Sequence, residues 1–456
     1  MPIDFIDELK WRGMFYQCTD EAGLRKHLAD PGAAIRRAYI GFDPTADSLT
    51  IGNMVTIMML AHFQRAGHAP VVVSGGGTGL IGDPSGKSAE RVLMTEEVAR
   101  HNVERQRRIF DKLLDFSAGV KNRAAVVNNV DWLGKLTFIE ALRDIGKHFS
   151  VNMMIQKDSV RERLENRDQG ISYTEFSYMI LQAYDFAHLH KTMGVTLQMG
   201  GSDQWGNIVA GGDLVRRMHL REFSEMVRTK DEEWDSAIER VAIDTEGLAF
   251  GLTTPLITKA DGGKFGKTES GAIWMTADRT SPYAFYQFWL NASDEDVPKF
   301  LKIFTFMGRE EIESLLAGHA ANPGAREAHR ALARHVTEML HGKAEVENSE
   351  NAAKALFSGE IAGLPEATLR EVLASVPSSS HDKATLGAGV AVMDLLVTTK
   401  LAASKREAKE FLAGGSVTVN GKKAGAEDKV TSADLLHGSM IALRRGKKSW
   451  HVTRWE

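Results

Sequence analysis

Lys264 and Lys267 stand three residues apart in a glycine-rich stretch, Ala260–Gly271, with Thr268 directly behind them. Two ammonium groups on a loop able to close can hold phosphate oxygens as charge develops on them, which raises turnover rather than affinity. An exposed basic turn would read the same way. Thr50 and Asn53 flank Ile51-Gly52 at the start of an apolar helical run, just behind Asp43-Pro44-Thr45. A helix N-terminus offers free amides and the positive end of the dipole, and both suit phosphate. Thr45 can add a hydroxyl donor, and Gly52 lets a flat ring come close to the backbone. Thr50 also fits a plain helix cap. Tyr178, Gln182 and Asp185 are four and three residues apart, so they share one helix face. Met179, Ile180 and Leu181 surround them, which argues for a buried helix over one with a polar outer face.

These residues need a scaffold. Ala38–Phe42, Pro70–Ser74, Ala124–Asn128 and Val195–Met199 read as strands, with Ile51–Ala66 and Thr95–Asp115 as helices between them. Strands alternating with helices predict a parallel sheet with crossover helices. From about Thr276 the strands stop, and Asp294–Leu316, Gly324–His341 and Asn351–Ser358 read as helices. Val376–Lys383 (VPSSSHDK) has the composition of a linker. Beyond it, Thr385–Glu456 holds twelve Lys/Arg against seven Asp/Glu, a net of +5. The whole 456-residue chain is at −4, so the preceding 384 residues carry −9. Basic charge gathered at one end points to an appended module that binds a polyanion, although a solvated charged face has the same composition.

Composition excludes several classes. The chain is 43% hydrophobic and 25% charged, an ordinary globular balance with room for two to four domains. One cysteine, Cys18, rules out an internal disulfide framework and any cysteine-rich metal centre. No apolar run is long enough for a bilayer span, and acids stand near the N-terminus where a secretory signal would carry bases. A cytoplasmic protein without a membrane partner is expected. None of the fifteen histidines sits in H-x-x-H or H-E-x-x-H spacing, so no protein-held metal is expected either.

Ser74–Ser88 (SGGGTGLIGDPSGKS) offers two phosphate motifs that fail on inspection. A P-loop ending at Gly86-Lys87-Ser88 would need its first glycine where Ile81 stands. Gly77, Gly79 and Gly82 fit a dinucleotide fingerprint, but Asp83-Pro84 breaks the segment and no second strand ending in an acid follows. What remains is a glycine loop carrying Asp83, Lys87 and Arg91 over the C-terminal edge of a sheet, where α/β ligands sit.

Five segments and the C-terminal module together carry a resemblance. They are Tyr39–Asn53 (YIGFDPTADSLTIGN), GLIGDPSGKS, Thr174–Phe186 (TEFSYMILQAYDF), Gly200–Asn207 (GGSDQWGN) and Lys264–Thr268 (KFGKT). In this order they resemble the class I aminoacyl-tRNA synthetases, specifically the bacterial tyrosyl-tRNA synthetases, over nearly the whole chain. The resemblance implies a Rossmann-like parallel-sheet catalytic domain over 1–255 and a KFGKT loop with an α-helical domain over 256–375. A linker over 376–384 and a small α+β RNA-binding domain of ribosomal-protein type over 385–456 would follow. It assigns Tyr178, Gln182 and Asp83 to the ammonium of L-tyrosine, Tyr39 with Asp185 to its phenolic hydroxyl, and Gln198 and Gln204 to the same pocket. ATP would meet Gly41, Asp43, Gly52, Asp203 and Lys267, with Thr45, Thr50, Asn53, Lys264, Lys267 and Thr268 acting on the phosphates. Lys87 and Arg91 would add phosphate or carboxylate contacts, and Mg2+ would arrive with ATP as substrate. The partners implied are L-tyrosine, ATP, tRNA(Tyr) and a second copy of the chain.

The family signature carries two histidines where this chain has Thr50 and Asn53. Both can hydrogen-bond, but neither can hold an imidazolium charge. That departure motivates an alternative, an RNA-binding paralogue without amino-acid activation; a tryptophan-specific relative is a second. In the C-terminal module, Ser404, Lys405, Arg406 and Lys409 cluster on one helix, and Lys422, Lys423, Arg444, Arg445, Lys447 and Lys448 add basic charge for phosphate contacts.

Overall fold

Six strands form the central sheet of the first unit: β1 (Gln17–Cys18), β2 (Arg37–Phe42), β3 (Ala69–Ser74), β4 (Ala125–Asn128), β5 (Val195–Gly201) and β6 (Phe250–Thr254), in the order β1-β6-β5-β2-β3-β4. The computed structural model describes residues 3–30, 35–83, 94–157, 160–161, 164, 171–228, 248–263, 265–268, 271–359, 361–374, 376–446 and 449–456, without the side chains of 222–228, 267–268 and 356–357. All neighbours run parallel except β1, which pairs antiparallel with β6. β3 is buried at all six positions, as the apolar run APVVVS predicts for a strand covered on both faces. From β2 the chain steps outward through β3 to β4, then returns to the other side of β2 as β5. The order reverses between β2 and β5, and ligands of such sheets bind at the carboxyl ends of the strands at that point.

Two helices flank this point. Ile51–Arg65 starts from an extended Thr50 and buries Ile51, Met54, Val55 and the apolar residues from Ile57 to Leu60. Tyr173–Met193 is capped by Ser172, whose side chain accepts from the Glu175 amide, and ends on Gly194 in the left-handed region. Among the described residues no helix is long and apolar enough to cross a membrane.

The chain divides into two units, residues 1–280 with 289–340, and 281–288 with 341–456. The helix expected over 294–316 is in fact two, Val297–Phe304 and Arg309–Ala321. The break falls where the Thr305 hydroxyl turns back to the Leu301 carbonyl (2.6 Å) and Gly308 takes an extended conformation as the next cap. Within 324–341 the helix proper begins at Glu327, because Pro323–Ala325 forms a separate 3₁₀ turn ending on a left-handed Arg326.

The second unit contains a five-stranded sheet built on Met440–Arg445 and Ser449–Trp455. The stretch read as a linker is partly strand: Ser378–His381 pairs in parallel with Val452–Trp455. Its serines suit a sheet edge as well as a loop, since the backbone ladder makes the contact and composition does not reveal it.

Candidate active site

A cleft of about 630 Å³ opens where β2 and β5 end. Tyr39 and Gln198 face each other across the two strands, being direct partners in register. The chain leaving β2 brings Gly41, Asp43 and Thr45, and the helix start adds Thr50, Gly52 and Asn53. Tyr178, Gln182 and Asp185 come from one face of the Tyr173–Met193 helix, Asp83 from beyond the glycine turn, and Asp203 and Gln204 from the end of β5. Residues scattered over more than 150 positions thus share one cavity. Lys87, Arg91 and Lys264 lie outside the described residues, as do the side chains of Lys267 and Thr268.

Polar atoms in the cleft are tied into two chains. In one, the Tyr178 hydroxyl donates to Asp43 Oδ2 (3.0 Å) and Thr78 Oγ1 to Asp43 Oδ1 (2.8 Å). Asn129 Nδ2 donates to Thr78 Oγ1 (3.0 Å) and to Asp185 Oδ2 (2.9 Å), while Trp132 Nε1 donates to Asp185 Oδ1 (2.8 Å). In the other, Gln204 Nε2 donates to Asp83 Oδ2 (2.6 Å), and Gln182 Nε2 to Gln204 Oε1 (3.3 Å). Four buried side-chain atoms along the described wall have no hydrogen-bond partner: the Tyr39 hydroxyl, Gln182 Oε1, Gln198 Oε1 and the Thr254 hydroxyl. Buried polar groups are rarely left so, and a cleft wall with four such atoms is built to meet a polar ligand.

At the helix start, Asn53 Oδ1 accepts from both the Thr50 amide (3.1 Å) and the Thr50 hydroxyl (2.9 Å). The reach-back fixes the first turn, as in a capping box, and commits the Asn53 oxygen. The amide hydrogens of Asn53 remain as donors. The KFGKT segment lies directly against this turn. Ile51 N donates to Ile273 O (3.1 Å), and Ile273 N donates to Gly266 O (2.9 Å). Phe265 anchors the segment among Trp289, Phe300 and Phe304, with ring centroids 5.0–5.9 Å away.

Residues 34–358 match the family of class I tRNA synthetases (W and Y). The chain belongs to that family. Residues 368–453 of this synthetase match a tyrosine–tRNA ligase SYY-like C-terminal domain. Tyrosine–tRNA ligases of Bacillus caldotenax and Geobacillus stearothermophilus are each 46% identical to it over 454 residues, spanning 99% of this chain and 100% of theirs. That of Opitutus terrae is 44% identical over the same length, with the same shares of both chains. Among solved structures, a C-terminally truncated mitochondrial tyrosyl-tRNA synthetase of Aspergillus nidulans superposes with a TM-score of 0.66 at 29% identity, covering 78% of this chain and 94% of that one. Its counterpart from Coccidioides posadasii gives 0.64 at 31%, covering 76% and 91%.

Sequence reading missed the residues of the synthetase that hold Asp185. Asn129 and Trp132 follow β4 in the string NNVDW, and Thr78 sits in the glycine turn. A polar pair directly after a parallel strand was the available signal, since strand carboxyl ends carry ligand sites. His188 stacks on Trp132 (centroids 4.5 Å, 14°) and so braces that indole.

Burial pushes the Asp185 carboxyl up to about 7, against the two donors that favour its charged form. The Tyr39 hydroxyl is pushed well above its usual range by burial and by Asp185. An ionised carboxylate is the better acceptor for a substrate hydroxyl. The synthetase's kcat/KM for its hydroxylated substrate should therefore rise with pH through about 7 and level off above it. A pH profile of the free enzyme checks this, and a flat profile from pH 6 to 8 would contradict it. Stability runs the other way: the folded chain keeps a proton that the unfolded chain loses near 3.8, so this group's contribution declines as pH climbs from there to about 7.

In the C-terminal module, Ser404 caps the Lys405–Ala413 helix, and Lys405, Arg406, Lys409, Lys422 and Lys423 are exposed. Lys405 pairs with Asp394 (2.7 Å) and Arg406 with Glu410 (3.4 Å), surface contacts of little energy. Arg444 and Arg445 do not belong with them. Arg444 is 8% exposed and lies over Trp450, and Arg445 donates to Leu401 O (2.7 Å). Lys447 and Lys448 lie outside the described residues.

Proposed function

We propose that this cleft activates L-tyrosine with ATP and that the chain is a tyrosine–tRNA ligase. The observation that carries the reading is the Tyr39–Asp185 pair. Asp185 is a fully enclosed carboxylate aimed by Asn129 and Trp132, beside a buried Tyr39 hydroxyl with no partner. A phenol satisfies both groups, whereas a phenyl or indole ring leaves them buried and unmatched. This disfavours the tryptophan-specific reading. The paralogue reading is disfavoured by the intact Asp83–Gln204–Gln182 chain at the other end of the pocket, where an ammonium would bind.

The tyrosine carboxylate then attacks the α-phosphorus of ATP in line. The bond to the bridging α–β oxygen breaks and pyrophosphate leaves. In the second step the tRNA's terminal ribose hydroxyl attacks the carbonyl of tyrosyl-adenylate, and AMP leaves. No side-chain nucleophile is required; positioning and charge stabilisation supply the rate. Asp203 and Gly52 take the ribose and adenine, Gly41 and Asp43 flank the α-phosphate, Thr45, Thr50 and Asn53 face the phosphates, and the two lysines of KFGKT supply positive charge to them. Mg2+ comes with ATP. The described lining holds four aspartates (Asp43, Asp83, Asp185, Asp203) and neither lysine nor arginine, so a triphosphate entering it needs a cation alongside.

A catalytic domain (1–255), a loop-bearing helical domain (256–375) and an RNA-binding module whose sheet takes in Ser378–His381 serve this reaction, with the exposed Lys405, Arg406, Lys409, Lys422 and Lys423 meeting tRNA phosphates. A second copy of the chain covers the apolar surface around Phe138, Ile139, Val151 and Met153, which are 57–72% exposed. The reaction takes place in the cytoplasm, where ATP and tRNA are present.

Tyrosine-dependent ATP–pyrophosphate exchange, with phenylalanine and tryptophan as controls, tests the reading; exchange with tryptophan alone, or with none, overturns it. Tyr39→Phe sharpens the test. It should lower the preference for tyrosine over phenylalanine about tenfold, while removing an unsatisfied buried hydroxyl and so raising the stability of the free protein by about 1 kcal/mol. Exchange kinetics and denaturant melts measure the two effects.

A further inference from the structure

Away from the cleft, three side chains from separate elements converge. Asp294 lies in the turn before the Val297–Phe304 helix, His319 in the last turn of Arg309–Ala321, and His329 in the first turn of Glu327–His341. Asp294 Oδ1 is 3.2 Å from His319 Nε2 and 3.3 Å from His329 Nε2. One ligand atom from each residue lies within 4.8 Å of the others. Both imidazoles are buried, while the Asp294 side chain is 62% exposed. With no ion bound, His329 Nε2 can also donate to the Ala292 carbonyl, 3.1 Å away.

We propose that these residues form a structural binding site for a zinc-type divalent ion. Charge-assisted hydrogen bonds between nitrogen and carboxylate close to about 2.7–2.9 Å, and both contacts here are longer. Donors bonded at about 2.0–2.1 Å to a tetrahedral ion sit about 3.3–3.4 Å apart, close to the two spacings from Asp294, and all three ligand atoms lie within 4.8 Å of one another. Two imidazolium ions sharing one carboxylate would leave a positive charge buried without compensation. Two neutral imidazoles and a carboxylate around a dication have no such excess, and this donor set suits zinc. The exposed side, next to Asp294, is open for water as the remaining ligand. Bound there, the ion would tie one turn to two helices. Sequence spacing concealed the site, because the histidines are ten positions apart and the carboxylate precedes the first of them by twenty-five.

The test uses the full chain, stripped with EDTA and titrated with ZnCl2 by calorimetry. Saturation at one zinc per chain in the micromolar range is expected, with a melting temperature about 5 °C higher at a hundredfold excess over Kd. Co2+ loading should give the visible absorption of a four-coordinate ion. Asp294→Asn, at an exposed carboxylate, and His319→Gln should each weaken zinc binding about a hundredfold or more and abolish the thermal shift. Asp294→Asn should also leave the apo melting temperature unchanged. Failure of the wild-type chain to take up zinc stoichiometrically overturns the proposal, and so does equal uptake by the two variants.

Discussion

Asp185→Ala should lower kcat/KM for tyrosine activation by about 10²–10³-fold while leaving activation of phenylalanine nearly unchanged. Two losses combine in this figure. The substrate hydroxyl loses a charged acceptor, worth about 1.5–3 kcal/mol. The donors that aim the carboxylate, Asn129 Nδ2 and Trp132 Nε1, lose their partner and turn to the space the phenol ring would fill. Each donor left buried without an acceptor costs about 1–3 kcal/mol, so the variant should also melt earlier. Asp185→Asn separates the contributions. It keeps the shape and one acceptor oxygen, so its activity should fall less, and the rise in kcat/KM through about pH 7 should disappear with the titrating group. Pyrophosphate exchange at several pH values reads all of this. An Asp185→Ala enzyme that still prefers tyrosine over phenylalanine as strongly as the wild type would remove the basis for the specificity assigned here.

How far the cleft can be read from sequence follows the range of the signal. Tyr178, Gln182 and Asp185 are legible because helical periodicity alone puts them on one face. β3 is legible because a strand covered on both sides needs an unbroken apolar run. Asn129 and Trp132 carry no such pattern; their importance arises only when β4 and the Tyr173–Met193 helix are brought side by side, over fifty positions apart. The same limit hid Ser378–His381, whose partner strand lies about seventy residues later. Arg444 and Arg445 show the opposite failure. A count of basic residues treats every arginine as available to phosphate, yet packing on Trp450 and Phe411 commits these two to the fold.

Thr50 and Asn53 are the point where two readings meet. The helix-cap reading and the phosphate reading of this signature are compatible, since Asn53 fixes Thr50 through its oxygen and keeps its amide hydrogens. Capping here is a means of positioning: the pair orders the first turn, whose free amides and dipole are suited to phosphate.

That turn is also the footing of the lysine loop, which leads to the second large effect. Lys267→Ala should reduce kcat for tyrosyl-adenylate formation by about 10²–10³-fold, as loss of a donor to developing charge does, with KM for ATP close to wild type. The reasoning is thermodynamic. A cation that meets the phosphates only as charge builds lowers the barrier without deepening the ground state, so its removal appears in kcat alone. Gly266→Ala should behave differently. Gly266 sits at φ +76°, and a Cβ there would lie 2.9 Å from Ile51 Cγ1. The left-handed backbone costs a non-glycine residue about 1–2 kcal/mol, and the clash pushes on Ile51, the first residue of the Ile51–Arg65 helix. This substitution should therefore raise KM for ATP as well as lower kcat. Single-turnover adenylate formation over a range of ATP concentrations distinguishes the two patterns. If Lys267→Ala instead raised KM for ATP and left kcat intact, the lysine would be holding ATP in its ground state, and closure of the loop over the transition state would no longer account for the rate.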